Sequence, residues 1–251
     1  MTGLSLRVLT VNTHKGFGFL NRRFILRELR EAVRAVSADL VFLQEVLGSH
    51  AHHARRFKDW PTTPQYEYLA DTIWSQHAYG RNAVYPHGDH GNAVLSRFPI
   101  RSYANHDASV GGEARGLLHC VLDVPGFPSG VHAICVHLGL RGWHRHHQLE
   151  RLCALIERDV PPDAPLIVAG DFNDWRLVAH ERLHRCAGLQ EVFVSAFGSA
   201  ARTFPARWPL LRLDRIYARH ARVQLPLRLP PRPWSHLSDH APLAAHLEFG
   251  T

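Results

Sequence analysis

The stretch VAGDFNDW, residues 168–175, closes an apolar run and then sets two carboxylates and a carboxamide into four positions. The preceding residues, PLIVAGD (165–171), have the length and aliphatic content of a buried strand. Such a strand ending in Asp171, Asn173 and Asp174 must find each polar group a partner, because unpaired polar groups are costly to bury. The same ending recurs along the chain: apolar runs finish at Asn12, at Gln44 and Glu45, and at His137. Strand ends therefore converge on one place.

Around this stretch the sequence predicts a mixed α/β chain. Residues 4–12 suit a strand, FILRELREAVRAV (24–36) has the 3.6-residue apolar spacing of a helix, and DLVFLQE (39–45) suits a second strand, giving β, α, β. Further strands are predicted at 91–96, 115–124, 131–138, 213–218 and 241–249. Helices are predicted at 144–159 and at 175–187, the second closed by Gly188. Strands outnumber helices and several are consecutive, which argues for sheets packed together with helices outside them, rather than a uniform doubly wound sheet. The proline-rich LPLRLPPRPW (225–234) reads as a loop before the last strand.

The C-terminal quarter adds the remaining polar groups. LDRIY places Asp214 in an otherwise apolar strand, and LSDH places Asp239 and His240 just before the last one. A buried Asp214 needs a cationic or hydrogen-bonding partner, and His240 is the natural candidate. Glu45 and Asp239, with Asn12, form a set of hard oxygen donors suited to Mg²⁺ or Mn²⁺, ions that take few carboxylates and keep exchangeable waters. An acid that orients an imidazole, and an imidazole that accepts a proton, can activate water at neutral pH.

Taken together, N-x-H (12–14), QE (44–45), GNAVLS (91–96), the VHL around His137, GDFN (170–173), LDRIY (213–217) and SDH (238–240) resemble the endonuclease/exonuclease/phosphatase superfamily, the fold of DNase I. The resemblance runs from residue 7 to residue 248, and the nearest likeness is to an uncharacterised bacterial subgroup. It implies a four-layer α/β sandwich, two mixed sheets face to face with helices outside, and one active site at one edge. Glu45 matches the metal-binding glutamate, with Asn12 and Asp239 beside it. Asp171 and Asn173 match the pair that positions water and contacts phosphate. Asp214 and His240 match the acid–imidazole dyad, with His240 the expected proton acceptor and Asp171 its rival, and His137 matches a second phosphate-contacting histidine. Asn92 and Arg115 are the expected substrate contacts. The implied activity is divalent-metal-dependent hydrolysis of a phosphodiester, with nucleic acid ahead of phospholipid, sphingomyelin-like or small inositol-type phosphates. A non-catalytic binding module fits poorly, since every expected position is filled.

The remaining features constrain less. The 251 residues, 45% hydrophobic and 20% charged, suit one globular domain spanning 1–251. A net charge of +7 permits a polyanionic partner such as nucleic acid or an anionic membrane surface, although the arginine excess also looks like compositional bias. No obligate protein partner is indicated. The N-terminus lacks a signal-peptide pattern and no segment approaches membrane-spanning length, so a cytoplasmic location is expected. Cysteines 120, 135, 153 and 186 form no C-x-x-C pair and are expected as reduced, mostly buried thiols.

HERLH (180–184) matches a zinc-peptidase pattern, but a helix whose apolar stripe is Trp175, Val178, Ala179 and Cys186 puts His180 and His184 on the wet side. Asp174 is expected to cap that helix. His144, His146 and His147 suit a solvated helix start, and His87, Asp89 and His90 suit either a solvated loop or a substrate rim. Arginines 202, 207, 212 and 215 beside Trp208 could meet a nucleic-acid backbone, while Trp143 among basic residues would suit a lipid interface.

Overall fold

The computed structural model describes residues 3–18, 23–227 and 229–250. Strand β1 (Leu4–Asn12) is followed by helix α1 (Leu26–Val36) and by β2 (Leu40–His50), which lies parallel to β1 with Asn12 opposite Gln44. Two short helices, α2 (Ala51–Arg56) and α3 (Gln65–Ala70), lead to the antiparallel pair β3 (Gln76–Tyr85) and β4 (Gly88–Ser96). A second sheet then begins with the meander β5 (Ile100–Asp107), β6 (Gly116–Val124) and β7 (Phe127–His137). Helix α4 (Gly142–Asp159) crosses over to β8 (Leu166–Asp171), parallel to β7. After α5 (Val178–Ala187), β9 (Gln190–Glu191) and α6 (Val192–Phe197) come β10 (Asp214–Arg219), β11 (Ala221–Leu227), α7 (Pro231–Leu237) and β12 (Leu243–Phe249).

Among the described residues, twelve strands thus form two six-stranded sheets, ordered β11-β12-β1-β2-β4-β3 and β5-β6-β7-β8-β10-β9. Alternation along each strand sends one set of side chains inward and the other outward. Leu6, Val8, Phe42, Cys120, Ala133, Cys135, Ile167 and Ile216 meet in the seam between the sheets. The opposite face of the first sheet packs Leu9, Val41, Leu43 and Leu95 against Leu29 and Val33 of α1, Leu69 of α3 and Trp234 of α7. The second sheet covers Ile134, Val136 and Val168 with Leu152 and Ile156 of α4 and Leu183 of α5. Helix, sheet, sheet and helix are therefore stacked, the four-layer sandwich that the resemblance implied.

Several expectations need correction. Helix α5 begins at Val178 rather than 175, and its buried stripe is Ala179, Leu183 and Ala187; Trp175 and Val178 are exposed. The proline-rich stretch is not a loop: its first residues complete β11 and its last begin α7, with Pro231 at the first helical position, where a missing N–H costs nothing. Arg228, inside that stretch, lies outside the described residues. Cys153 of α4 and Cys186 of α5 form a disulfide, whereas Cys120 and Cys135 are buried free thiols. Among the described residues no helix is long and apolar enough to cross a membrane.

Candidate active site at one sandwich edge

Strand register explains why the polar groups meet. Parallel pairing brings Asn12 level with Gln44 on one sheet and His137 level with Asp171 on the other. Antiparallel pairing then sets Asp214, the first residue of β10, opposite Asp171. The C-terminal ends of β1, β7 and β8, the start of β10 and the middle of β2, which runs on to His50 instead of stopping at Glu45, therefore share one edge of the sandwich. Contact across the sheets is direct: the Asn12 amide lies 3.3 Å from Asp171 Oδ2 and 3.4 Å from Glu45 Oε1.

Backbone geometry sharpens these positions. In β2 the register with β4 slips between Leu43 and Val46, and Glu45 takes a left-handed φ of 54° inside that bulge. Such a conformation costs a non-glycine residue energy and is held only where the surroundings enforce it. Asn173 has φ 49°, a region asparagine tolerates, and its N–H donates to Asp171 Oδ1 at 2.9 Å.

At the centre, Asp214 Oδ2 lies 2.9 Å from His240 Nδ1 with both side chains almost fully buried. The Thr203 hydroxyl accepts from the Asp214 N–H, and Ser238 Oγ donates to the Asn12 carbonyl while accepting from the His240 N–H. His240 Nε2 stands 3.8 Å, and His137 Nε2 3.5 Å, from Asp171 Oδ2. Burial is the largest influence on Asp171 and pushes its carboxyl up to about 7; the His240 charge resists this and Asp214 adds to it. Burial alone would depress the His240 imidazole, but the charges of Asp214, Asp171 and Asp239 outweigh it and raise the group to about 10. His137 is held well below its ordinary value by burial and by the charges of Arg115 and His240.

Glu45 and Asp239 are more open than this buried trio. Among the described residues no cationic side chain lies within ion-pair distance of Glu45, and Asp239 has only His14 at such a distance, 3.7 Å, with the Ser238 hydroxyl 3.3 Å from its Oδ1. An accessible carboxylate left without a counter-charge, beside an asparagine, is a hard oxygen set that fits a divalent cation. Asp171, Asp214 and His240 also offer three ligand atoms within 4.8 Å of one another. Within that set His240 Nδ1 is already hydrogen-bonded to Asp214, while Nε2 faces Asp171.

Other expected residues sit differently. Asn92 is buried; its amide donates to the Gly116 and Cys135 carbonyls and so ties the sheets together, while its Oδ1 is buried without a hydrogen-bond partner. Asn173 commits an amide hydrogen to the Leu138 carbonyl. Arg115 reaches Glu113 at 2.8 Å and leaves a buried Nε without a partner, close enough to influence His137. Arg215 cannot touch a ligand: it is 1% exposed, and its guanidinium donates to the carbonyls of Asp214 and Asp174. Arg212 bonds the Ala200 carbonyl. Asp174 keeps a capping role but acts five residues ahead, accepting from the Ala179 N–H at 2.7 Å.

His144 is buried against Glu113 rather than solvated, while His146 and His147 are exposed and pair with Glu150. Asp89 is structural, accepting from the Tyr79 and Ser49 hydroxyls, and His90 is half-buried and feels the charges of Lys15, Glu45 and Arg115. The HERLH histidines form no metal-ligating group among the described residues. Thr203 and Ser238 escaped the sequence reading. Only the hydroxyl in SDH offered a signal for the second, and nothing local marked the first.

A four-layer sandwich with its polar groups gathered at one edge is the fold class of the DNase I-like phosphoesterases. The model of the endonuclease/exonuclease/phosphatase family matches residues 9–240, and the chain belongs to that family. It is 57% identical over 246 residues to "Uncharacterized protein YbhP" of Escherichia coli (strain K12), covering 98% of this chain and 97% of that protein. The same identity holds for the protein of that description from Shigella flexneri. Among solved structures, an endonuclease/exonuclease/phosphatase from Beutenbergia cavernae superposes with a TM-score of 0.74 at 20% identity, covering 98% of this chain and 72% of that one. The human Nocturnin catalytic domain with bound sulfate gives 0.71 at 18% identity, covering 98% and 94%. The D. rerio TDP2 complex with a single-strand DNA product gives 0.67 at 17% identity, covering 98% and 99%.

Proposed function

We propose that this protein is a divalent-metal-dependent phosphoesterase that cleaves a phosphodiester in nucleic acid by attack of water on phosphorus. The observation that carries this reading is the continuous contact chain from Glu45 through Asn12 and Asp171 to His240 and Asp214. It joins a cation-ready carboxylate to an acid–imidazole dyad.

Glu45, Asn12 and Asp239 would hold Mg²⁺ or Mn²⁺, which when bound supplies Lewis-acid stabilisation of phosphoryl charge. Asp214 fixes the ring of His240 and, with Asp171, favours its protonated form. The charge distribution therefore favours Asp171 over His240 as first acceptor of the water proton, because a carboxyl raised toward neutrality is matched to that task. His240, as imidazolium, and the neutral His137 are then donors facing the charge that develops on phosphoryl oxygens. Asn12 and the Asn173 N–H hold the Asp171 carboxylate in place.

The substrate class rests on the walls beside the site. Around the C-terminal end of β2, beyond Glu45, a cleft of about 760 Å³ is lined by His50, Trp60, Arg81, Tyr85 and His87, an aromatic and basic surface on which unpaired bases can stack. The neighbour bound to single-strand DNA product agrees with this choice. A second reading, a phospholipid at an anionic membrane surface, is favoured by exposed Leu140, Trp175, Trp208 and Leu210 on loops and by exposed Trp143 and Val178 in the first turns of α4 and α5, since aliphatic side chains do not stack on bases.

A substrate panel of plasmid DNA, single strands, abasic duplex, sphingomyelin, anionic phospholipid vesicles and bis(p-nitrophenyl) phosphate tests both readings. Hydrolysis should vanish in EDTA, return with Mg²⁺ or Mn²⁺ and be lost in Asp171→Asn; full turnover in chelator refutes the site. Nucleic-acid affinity should fall steeply with salt, and a flat response with turnover confined to vesicles selects the lipid reading.

A further inference from the structure

Four ligating side chains gather on the outer face of the second sheet, away from the site above. Alternation along β5, β6 and β7 sends Leu118, Cys120, Ala133 and Cys135 into the inter-sheet seam, and so sends His119 and His132 to the opposite, helix-covered face. His106 of β5 and Asp159, the last residue of α4, join them there. His106, His119 and Asp159 each offer one ligand atom, and these atoms lie within 4.8 Å of one another. The cluster is distinct from the catalytic edge: His132 stands five residues before His137 on β7, about 16 Å away at the rise of a strand.

The hydrogen bonds fix the tautomers. His132 Nε2 faces the Ser129 carbonyl, which only accepts, so that nitrogen carries the proton. His132 Nδ1 is then an acceptor, and His119 Nε2, 2.9 Å away, must donate to it. A neutral His119 is left with a lone pair on Nδ1, its Nε2–H anchored to a second imidazole in the manner of ligating histidines whose other nitrogen is held. Burial favours the neutral form of all three imidazoles. His106 Nε2 is buried without a hydrogen-bond partner and lies 3.9 Å from Asp159 Oδ2. Asp159 and His106 are about three-tenths exposed, which leaves an entry path and an open coordination position. The C-terminal end of α4 adds a favourable dipole for a cation.

We propose that His106, His119 and Asp159, with His132 as the orienting partner of His119, form a second metal site for a first-row transition cation such as Zn²⁺. Two imidazole nitrogens and one carboxylate suit that class rather than Mg²⁺. Its position ties β5 and β6 to the end of α4. Arg158, which grips both Asp159 oxygens, is the competing charge, so releasing it should tighten the site.

The test is calorimetric titration of the EDTA-stripped protein with ZnCl₂ in millimolar Mg²⁺, in a Glu45→Gln background that disables the catalytic position. One equivalent of Zn²⁺ should bind, at least about 100-fold more weakly in His119→Asn and about 10–100-fold more weakly in His132→Phe. Arg158→Gln should bind more tightly, and Co²⁺ should give a visible d–d spectrum that His119→Asn abolishes. Circular dichroism checks that each variant folds, and His106→Asn, at a partly exposed position, decides the matter if His119→Asn does not. Unchanged Zn²⁺ binding in either histidine variant, or no tight equivalent in the Glu45→Gln protein, overturns the proposal.

Discussion

Gly170 is the residue on which the catalytic edge turns, and replacing it by alanine tests that geometry through stability and turnover together. Its φ of +146° lies where side-chain-bearing residues rarely go, and a Cβ there would stand 1.9 Å from the Val136 carbonyl oxygen. Ordinary carbon–oxygen contacts are about 3.3 Å or more, so β7 and β8 would have to part by roughly 1.4 Å. The neighbour is backbone in a parallel ladder, with His137 paired to Asp171 one residue on, and it has no flexible end to swing aside. Backbone strain of about 1–3 kcal/mol and one or two weakened ladder bonds at about 1 kcal/mol each sum to about 2–5 kcal/mol. That is a large part of the 5–15 kcal/mol typical of a domain. Urea denaturation of Gly170→Ala should show this loss, and because Asp171 moves with the strand, kcat of the folded fraction should drop about 100-fold. A destabilisation below about 1 kcal/mol with unchanged kcat would refute the claim that close approach at Gly170 sets the site.

Three further outcomes follow from particular contacts. Asp214→Asn removes the charge and the fixed acceptor of His240 and should lower kcat about 10³-fold with little change in KM, while the imidazole titrates lower by NMR; a fall under tenfold would deny the dyad its role. His119 is buried and held near 4 against 6.5 in the unfolded chain, so the folded form releases a proton that the unfolded form keeps. Stability should therefore fall as pH drops through this window, with His119 accounting for about 2 kcal/mol between pH 7.5 and pH 5; chelator-treated His119→Leu should lose that slope, and an unaltered slope would exclude the assignment. The Cys153–Cys186 bond closes a 33-residue separation, so Cys153→Ser with Cys186→Ser should cost about 3–4 kcal/mol in denaturant; equal stability of the oxidised and double-serine proteins would count against the cross-link.

What the sequence revealed and what it hid divide along a physical line. A strand end is legible because burial keeps residues apolar up to the edge and chemistry places a polar group there, so Asn12, His137 and Asp171 at the ends of β1, β7 and β8 and Asp214 at the start of β10 stood out, while Glu45 stood out as a polar break in an apolar run that is in fact a bulge within β2. Edge strands give no such contrast: β5, IRSYANHD, is exposed along nearly its whole length and went unpredicted, although it closes the second sheet. The start of α5 was misplaced because Asp174 looked like an ordinary cap, whereas Leu177 in a left-handed conformation delays the helix by three residues. Pairings between distant elements were hidden in principle, since nothing local joins Cys153 to Cys186, Thr203 to Asp214 or Arg215 to the Asp174 carbonyl. Those hidden contacts hold the legible groups in place. Arg215 shows this most clearly: within LDRIY it resembles a cation offered to a ligand, yet it is buried and fastens β10 to the loop that follows Asp171. The sequence therefore exposes groups whose chemistry is visible residue by residue, while the supports that give those groups their distances emerge only once the register of the two sheets is known.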